Sequence, residues 1–216
     1  QIVFQDLADV SPGGLLTLTD WSLEFELDAD VSTFSGVASD GLVAGGTVFF
    51  DANLNGNLDA GEPWVFTDGS GDYELNVLPG PFDQNGDNQL QASEGVLVLT
   101  GGTDIATGLP LEISFRAPLG ASVIHPVTTL IASLLIRDPN LSVTDAETQV
   151  ETALGLEVGL AARVDMLTFD MYAEAALGNA DAVAIINAVA KVQDTVIQVG
   201  DFVSGASGIP RVPVID

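Results

Sequence analysis

Residues 51 to 62, DANLNGNLDAGE, put an oxygen-bearing side chain at positions 1, 3, 5, 7, 9 and 12 and a glycine at position 6. Neither a helix nor a strand accommodates such a run. Short Asn and Asp side chains compete with regular backbone hydrogen bonding and favour turns, and glycine at position 6 supplies a left-handed backbone without steric cost. The segment is therefore expected to be a tight loop closed by its own side chains. The order of its oxygen atoms restricts the chemistry further. Asp51, Asn53 and Asn55 at positions 1, 3 and 5, the Asn57 carbonyl at 7, Asp59 at 9 and a bidentate Glu62 at 12 reproduce the ligand order of a twelve-residue calcium loop. Leu58, at position 8, is expected to anchor the loop to a core.

A second string, Asp83 to Glu94 (DQNGDNQLQASE), repeats the arrangement with Asp83, Asn85, Asp87, the Gln89 carbonyl, Gln91 and Glu94, and with Leu90 at position 8. Asn88 replaces glycine at position 6. Asparagine tolerates the left-handed conformation better than other side chains, so the loop is expected to survive the exchange. Two bound Ca²⁺ ions are the expectation, the first loop being the more complete.

The chain is 216 residues long and 47% hydrophobic, enough for a buried core in one large or two small domains. Thirty-one acidic residues stand against five basic ones, a formal charge of −26. That balance repels nucleic acid and anionic membranes. Two divalent ions leave about −22, so most of the acidity has another origin; it suits an exposed protein in calcium-containing, salty water, where screening blunts self-repulsion. Cysteine is absent, which excludes disulfides and thiolate metal sites. Millimolar-class calcium loops belong to extracellular modules, which points to the outside of a cell. The opening QIVFQDLADV lacks the basic start and apolar run of a signal peptide, and the chain reads as an excised portion of something longer. No segment is expected to insert in a membrane.

Short runs bounded by Gly, Asn, Asp or Pro predict strands at VSTFSGVAS, Gly46 to Asp51, Trp64 to Thr67, Asp72 to Val77, Val96 to Thr100 and Leu111 to Arg116. Their spacing suggests an antiparallel sandwich. Both calcium loops then lie between strands, not between the two helices of an EF-hand. From Pro126 the period becomes helical. VTTLIASLLIR predicts a helix with Leu130, Leu134 and Leu135 on one face, stopped at Asp138-Pro139. Thr144 and Glu147 predict a capping box for a second helix that ends at Gly155. A third short helix is expected over Asp170 to Leu177. Asn179 is expected to cap a fourth, with Val183, Ile186, Ala190, Gln193 and Ile197 along one line and Val189, Val192, Val196 and Val199 beside it.

The expected fold class is α+β: an N-terminal antiparallel β-sandwich of prealbumin or immunoglobulin type with inserted calcium loops, then a small helical bundle. Residues 1–29 are N-terminal strands of this sandwich or the tail of a preceding module, 30–120 the calcium-binding sandwich, 121–208 the helical domain and 209–216 a tail or linker.

The chain shows no signature of catalysis. Its single histidine, His125, has no positioned partner in the sequence and reads as a structural residue at the junction of the two halves. No phosphate-binding glycine loop and no HExxH is present. Asp68 and Asp72, about Gly69-Ser70-Gly71, read as the turn of a hairpin, Asp40 and Asp104 as turn-stabilising residues in glycine-rich loops, and Trp21 and Trp64 as core or rim aromatics.

The run GVASDGLVAGGTVFFDANLNGNLDAGEPWVFT and the following TDGSGDYEL resemble the calcium-loop β modules of large secreted or surface-attached bacterial proteins, including repetitive adhesins of the RTX type. LTGGTDIATGLPL, HPVTTLIASL and ETALGL resemble the segment that accompanies such modules, and the resemblance covers roughly residues 33 to 205. TDGSGDYEL also resembles the prealbumin-like sandwiches of carboxypeptidase-regulatory and collagen-adhesin B-type modules. Those adhesin modules often carry a lysine-to-asparagine isopeptide bond. The single lysine here, Lys191, lies in the helical half, so no such bond forms within the sandwich. The resemblance implies extracellular scaffolding or adhesion, with neighbouring domains of the same chain as partners. The alternative expectation is a calcium-dependent module that binds a surface glycan or a peptide.

Overall fold

The computed structural model describes residues 31–156, 160 and 164–191. The expectations for residues 1–29, for the last helix beyond Lys191 and for the 209–216 tail lie outside them. The fold is α+β. Nine strands, β1 (Ser32–Ala38), β2 (Val43–Ala44), β3 (Thr47–Asp51), β4 (Trp64–Phe66), β5 (Asp72–Val77), β6 (Val96–Thr100), β7 (Thr103–Asp104), β8 (Phe115–Pro118) and β9 (Val123–Ile124), precede helices α1 (Pro126–Arg137), α2 (Val143–Ala153) and α3 (Met171–Ala176). A fourth helix, α4, runs over residues 180–191.

The strands form a four-stranded sheet in the order β4-β3-β6-β8, a three-stranded sheet β5-β1-β9 and a small β2-β7 pair. Period-two alternation is plainest in β5, where Tyr73, Leu75 and Val77 are buried between exposed neighbours. The two central strands β3 and β6 are buried almost throughout because both of their faces are covered. Val48, Phe50, Leu97, Leu99, Phe115 and Ala117 from the larger sheet and Ala38, Tyr73, Leu75, Val77 and Ile124 from the smaller share one core. Phe50 stacks on Phe34 at 6.4 Å and meets Phe82 at 5.1 Å.

Two strand expectations change. Pairing is not antiparallel throughout: β9 runs parallel to β1, with Val37 opposite Val123 and Ala38 opposite Ile124. Val123 and Ile124, assigned from sequence to the helical part, thus belong to a sheet. Gly36 permits the approach, since any Cβ there would strike the Ser122 carbonyl. The strand expected over Leu111 to Arg116 is instead Phe115–Pro118, because Pro110 still bridges Thr103 and Leu111 still donates to the Gly102 carbonyl at 3.0 Å. Pro118 closes an edge strand, where a missing N–H is tolerated.

The helix boundaries follow their caps. Pro126 opens α1 as expected, and His125 completes a capping box with Thr128: Nδ1 accepts from the Thr128 N–H at 3.1 Å while the Thr128 hydroxyl accepts from the His125 N–H at 3.0 Å. The buried face differs from the expected leucine stripe. Val127, Thr128, Thr129, Ile131 and Ala132 are buried, and Leu130, Leu134 and Leu135 are only half-buried. The threonines can face inward because Thr129 Oγ1 donates to the His125 carbonyl at 3.0 Å and accepts from the Arg116 N–H at 2.9 Å. In α2 the cap is Ser142, not Thr144. Glu147 turns inward and accepts from the Met166 N–H at 3.1 Å. Asp170 caps α3, and Asn179 Oδ1 accepts from Asp181 and Ala182 at the start of α4. The inward line of α4 is Ala182, Ile185 and Val189, while Val183 and Ala190, expected inside, are exposed. Among the described residues no helix is long and apolar enough to cross a membrane.

Candidate metal centre

Both acidic strings are loops between strands, β3–β4 for the first and β5–β6 for the second. In the first, Asp51 ends β3 with no solvent exposure. Its carboxylate accepts from the Asn55 N–H at 3.2 Å and the Gly56 N–H at 2.7 Å. Glu62, also buried, closes the loop from the other end, accepting from the Ala52 N–H at 3.0 Å and the Asp59 N–H at 2.9 Å. Between these anchors Asn53, Asn55, Asn57 and Asp59 are exposed. Asn53 Oδ1 accepts from the Asn55 N–H at 3.0 Å, and Asn55 Oδ1 from the Asn57 N–H at 2.7 Å. The amide nitrogens of Asn53 and Asn55 both donate to Asp59 Oδ2 at 2.7 Å, and these bonds hold the Asp59 carboxyl below its usual range.

The second loop repeats the bonds of positions 1 and 12 in outline, while its side-chain amides converge on position 5 instead of position 9. Asp83 accepts from the Gly86 N–H at 2.7 Å and the Asn88 N–H at 2.8 Å. Burial raises the Asp83 pKa, but four backbone N–H groups outweigh it and the net shift is downward. Buried Glu94 accepts from the Gln84 N–H at 2.8 Å and the Gln91 N–H at 2.9 Å, the same positions 2 and 9 that Glu62 holds. Asn85 and Gln91 donate their amides to Asp87 Oδ2 at 3.2 and 2.6 Å, and the Gln89 N–H donates to Asp87 Oδ1 at 2.9 Å. Positions 4 and 6 carry positive φ in both loops: Leu54 (62°) and Gly56 (78°), Gly86 (79°) and Asn88 (61°). Asn88 thus adopts the conformation expected of it. Leu54 does so without the freedom of glycine, a local strain the second loop avoids.

The position-8 leucines diverge. Leu90 packs against the sheet core as expected, but Leu58 is 41% exposed and anchors nothing. Ala52 and Val65 on either side of the first loop meet the core in its place.

The donor set fits a hard, oxygen-loving cation such as Ca²⁺. Asp51, Asn53, Asn55, the Asn57 carbonyl, Asp59 and Glu62 are the first group of candidate ligands, and Asp83, Asn85, Asp87, the Gln89 carbonyl, Gln91 and Glu94 the second. Binding through Asn53 and Asn55 requires their amide oxygens, hence a half-turn of each amide away from the present bond to Asp59. Among the described residues no three His, Cys, Asp or Glu side chains converge on a point by themselves.

Sequence reasoning missed two neighbours of the first loop. The Arg116 guanidinium, arriving from β8, lies where a Cβ on Gly56 would sit, so glycine there answers a steric demand as well as a conformational one. Trp64 and Phe66, directly after the loop on β4, are half exposed with ring centroids 5.0 Å apart. Their i, i+2 spacing on a strand was the available signal. The other singled-out residues are structural. Asp68 Oδ1 accepts from the N–H groups of Ser70 and Asp72, as a hairpin turn requires. Asp104 caps its own loop through the Ala106 N–H and the Thr107 hydroxyl. Asp40, expected to do likewise, instead accepts from Tyr172 Oη at 2.8 Å; burial and the nearby Asp104 raise its pKa against that bond. His125 is buried, and its Nε2 lies 3.3 Å from the Phe169 carbonyl.

Compared with known proteins, the chain matches no family model, no curated protein and no solved structure.

Proposed function

We propose that this chain is a calcium-binding structural or adhesive module of a large extracellular bacterial protein, without catalytic activity, built as a prealbumin- or immunoglobulin-like sandwich followed by a helical bundle. The observation that carries the reading is the agreement between the two loops. Two strings that differ at most positions outside the ligand pattern share these features: position 12 bonded to the N–H groups of 2 and 9, position 1 to that of 6, and positive φ at 4 and 6. Two sheets facing one core support the sandwich. Calcium, when bound, neutralises clustered carboxylates. The chain's own residues supply the rest: buried Asp51, Glu62 and Glu94 tie the loop ends to the sheets, so ordering the exposed ligands stiffens the strand connections. The partners in this reading are neighbouring domains of the same chain.

Calorimetry tests it. Saturating calcium at 100 times its Kd adds about 2.7 kcal/mol per site over EDTA, and Asp51→Ala or Glu62→Ala removes most of the first site's share. An unchanged melting temperature between EDTA and millimolar calcium would sink the reading.

A second reading, a calcium-dependent glycan or peptide binder, is favoured by one observation: the exposed Trp64–Phe66 pair begins two residues after Glu62. A glycan array with hits lost in Trp64→Ala and in EDTA would favour it.

A further inference from the structure

The helical half meets the larger sheet at β8, and a cleft of about 530 Å³ opens there among β8, α1 and α2. That is the size range of small-molecule sites. Leu130, Leu134 and Val150 give it aliphatic walls and Gln149 a polar side chain. Arg116 and Arg137 line it too. The chain has only five basic residues against thirty-one acidic ones, yet two of the five share this cleft.

Neither guanidinium has an ion pair or hydrogen bond among the described residues; Arg116 is engaged through its main chain alone, with the Thr129 hydroxyl. Arg116 is 8% exposed. Its nitrogens keep some contact with water, but a mostly covered guanidinium without a paired carboxylate still favours an anion supplied from outside. Arg137, in the last turn of α1, is exposed and adds a second positive charge. An inorganic anion would satisfy the charges but leave the aliphatic walls in water.

We propose that this cleft binds a small aliphatic carboxylate, with Arg116 and Arg137 as its counter-charges and its stem against Leu130, Leu134 and Val150. The proposal does not rest on calcium binding, although the Arg116 guanidinium also lies against Gly56 of the first loop. Titration of the full chain with sodium octanoate and with 1-octanol, followed by NMR and calorimetry, tests it. Octanoate is expected to bind at least about tenfold more tightly than octanol, because only the acid gains charge-assisted bonds. Arg137→Met, at an exposed position, should remove about tenfold of the octanoate affinity and leave octanol binding unchanged. Leu134→Trp should block both ligands. Melting temperatures matching the parent protein establish that the two variants are folded. Equal affinity for acid and alcohol, no octanoate binding at millimolar concentration, or full binding in both variants overturns the proposal. So does a peptide with a C-terminal leucine that binds more tightly than octanoate, which would make the natural occupant a chain terminus.

Discussion

Tyr73 is the one side chain whose buried polar atom finds no partner among the described residues. It lies 5% exposed in the shared core, and burial pushes its phenol pKa up. An unsatisfied hydroxyl costs on the order of 1 kcal/mol or more, so Tyr73→Phe is expected to raise the unfolding free energy by about 1 kcal/mol in urea titration. A loss would show that the hydroxyl is satisfied in solution. Gly56 gives a prediction of opposite sign. Its φ of 78° and the Arg116 guanidinium beside it both exclude a Cβ, so Gly56→Ala should cost more than the ~1 kcal/mol of a left-handed alanine alone. Combining it with Arg116→Ala should return part of that excess, which a double-mutant cycle would measure.

At the level of the element, the position-12 carboxylate of each candidate metal loop grips the N–H groups of positions 2 and 9. Glu62→Gln keeps an acceptor oxygen but loses the charge. In EDTA it should cost under ~1.5 kcal/mol, while in calcium it should also lose most of the first site's stabilisation. An equal cost in both conditions would leave Glu62 as a loop clasp with no metal role. The sequence made the loops and caps legible because their causes are local. A ligand order, a left-handed residue or a helix start is decided within a dozen residues, as at Asp51, Asn88 and Pro126. Which face of α1 or α4 turns inward was not legible. Thr129 is buried at the expense of Leu130 and Leu134 because β8 offers the Arg116 main chain as a hydrogen-bonding partner, and β8 contributes nothing to the pattern within the helix.

For the whole molecule the clearest consequence concerns acid. Burial lowers the His125 pKa from 6.5 to about 4, so between those values the unfolded chain takes up a proton that the folded one refuses. Folding stability therefore falls as pH drops from 6.5 towards 4, by on the order of 3 kcal/mol from this residue. Asp59 and Asp83, held below their usual range of about 3.8, add loss only at lower pH, where the unfolded chain protonates them and the folded one does not. Asp40 and Glu147, raised by burial, act the other way, since protonation relieves their buried charge. Urea melts at pH 7 and pH 4.5 should show the loss, and His125→Asn, which retains a capping oxygen but does not titrate, should flatten it. An unchanged slope in that variant would remove His125 from the account.

By itself the sequence determined the two loops, the start of α1 at Pro126 and a formal charge of −26, since each depends on composition or on neighbours along the chain. Only the tertiary structure decided that Val123 and Ile124 join a sheet in parallel, that Leu90 is an anchor and Leu58 is not, and that Arg116 and Arg137 meet in one cleft. Those outcomes depend on burial and on contacts between residues far apart in sequence, and a periodic pattern states that a face is apolar without stating what will cover it.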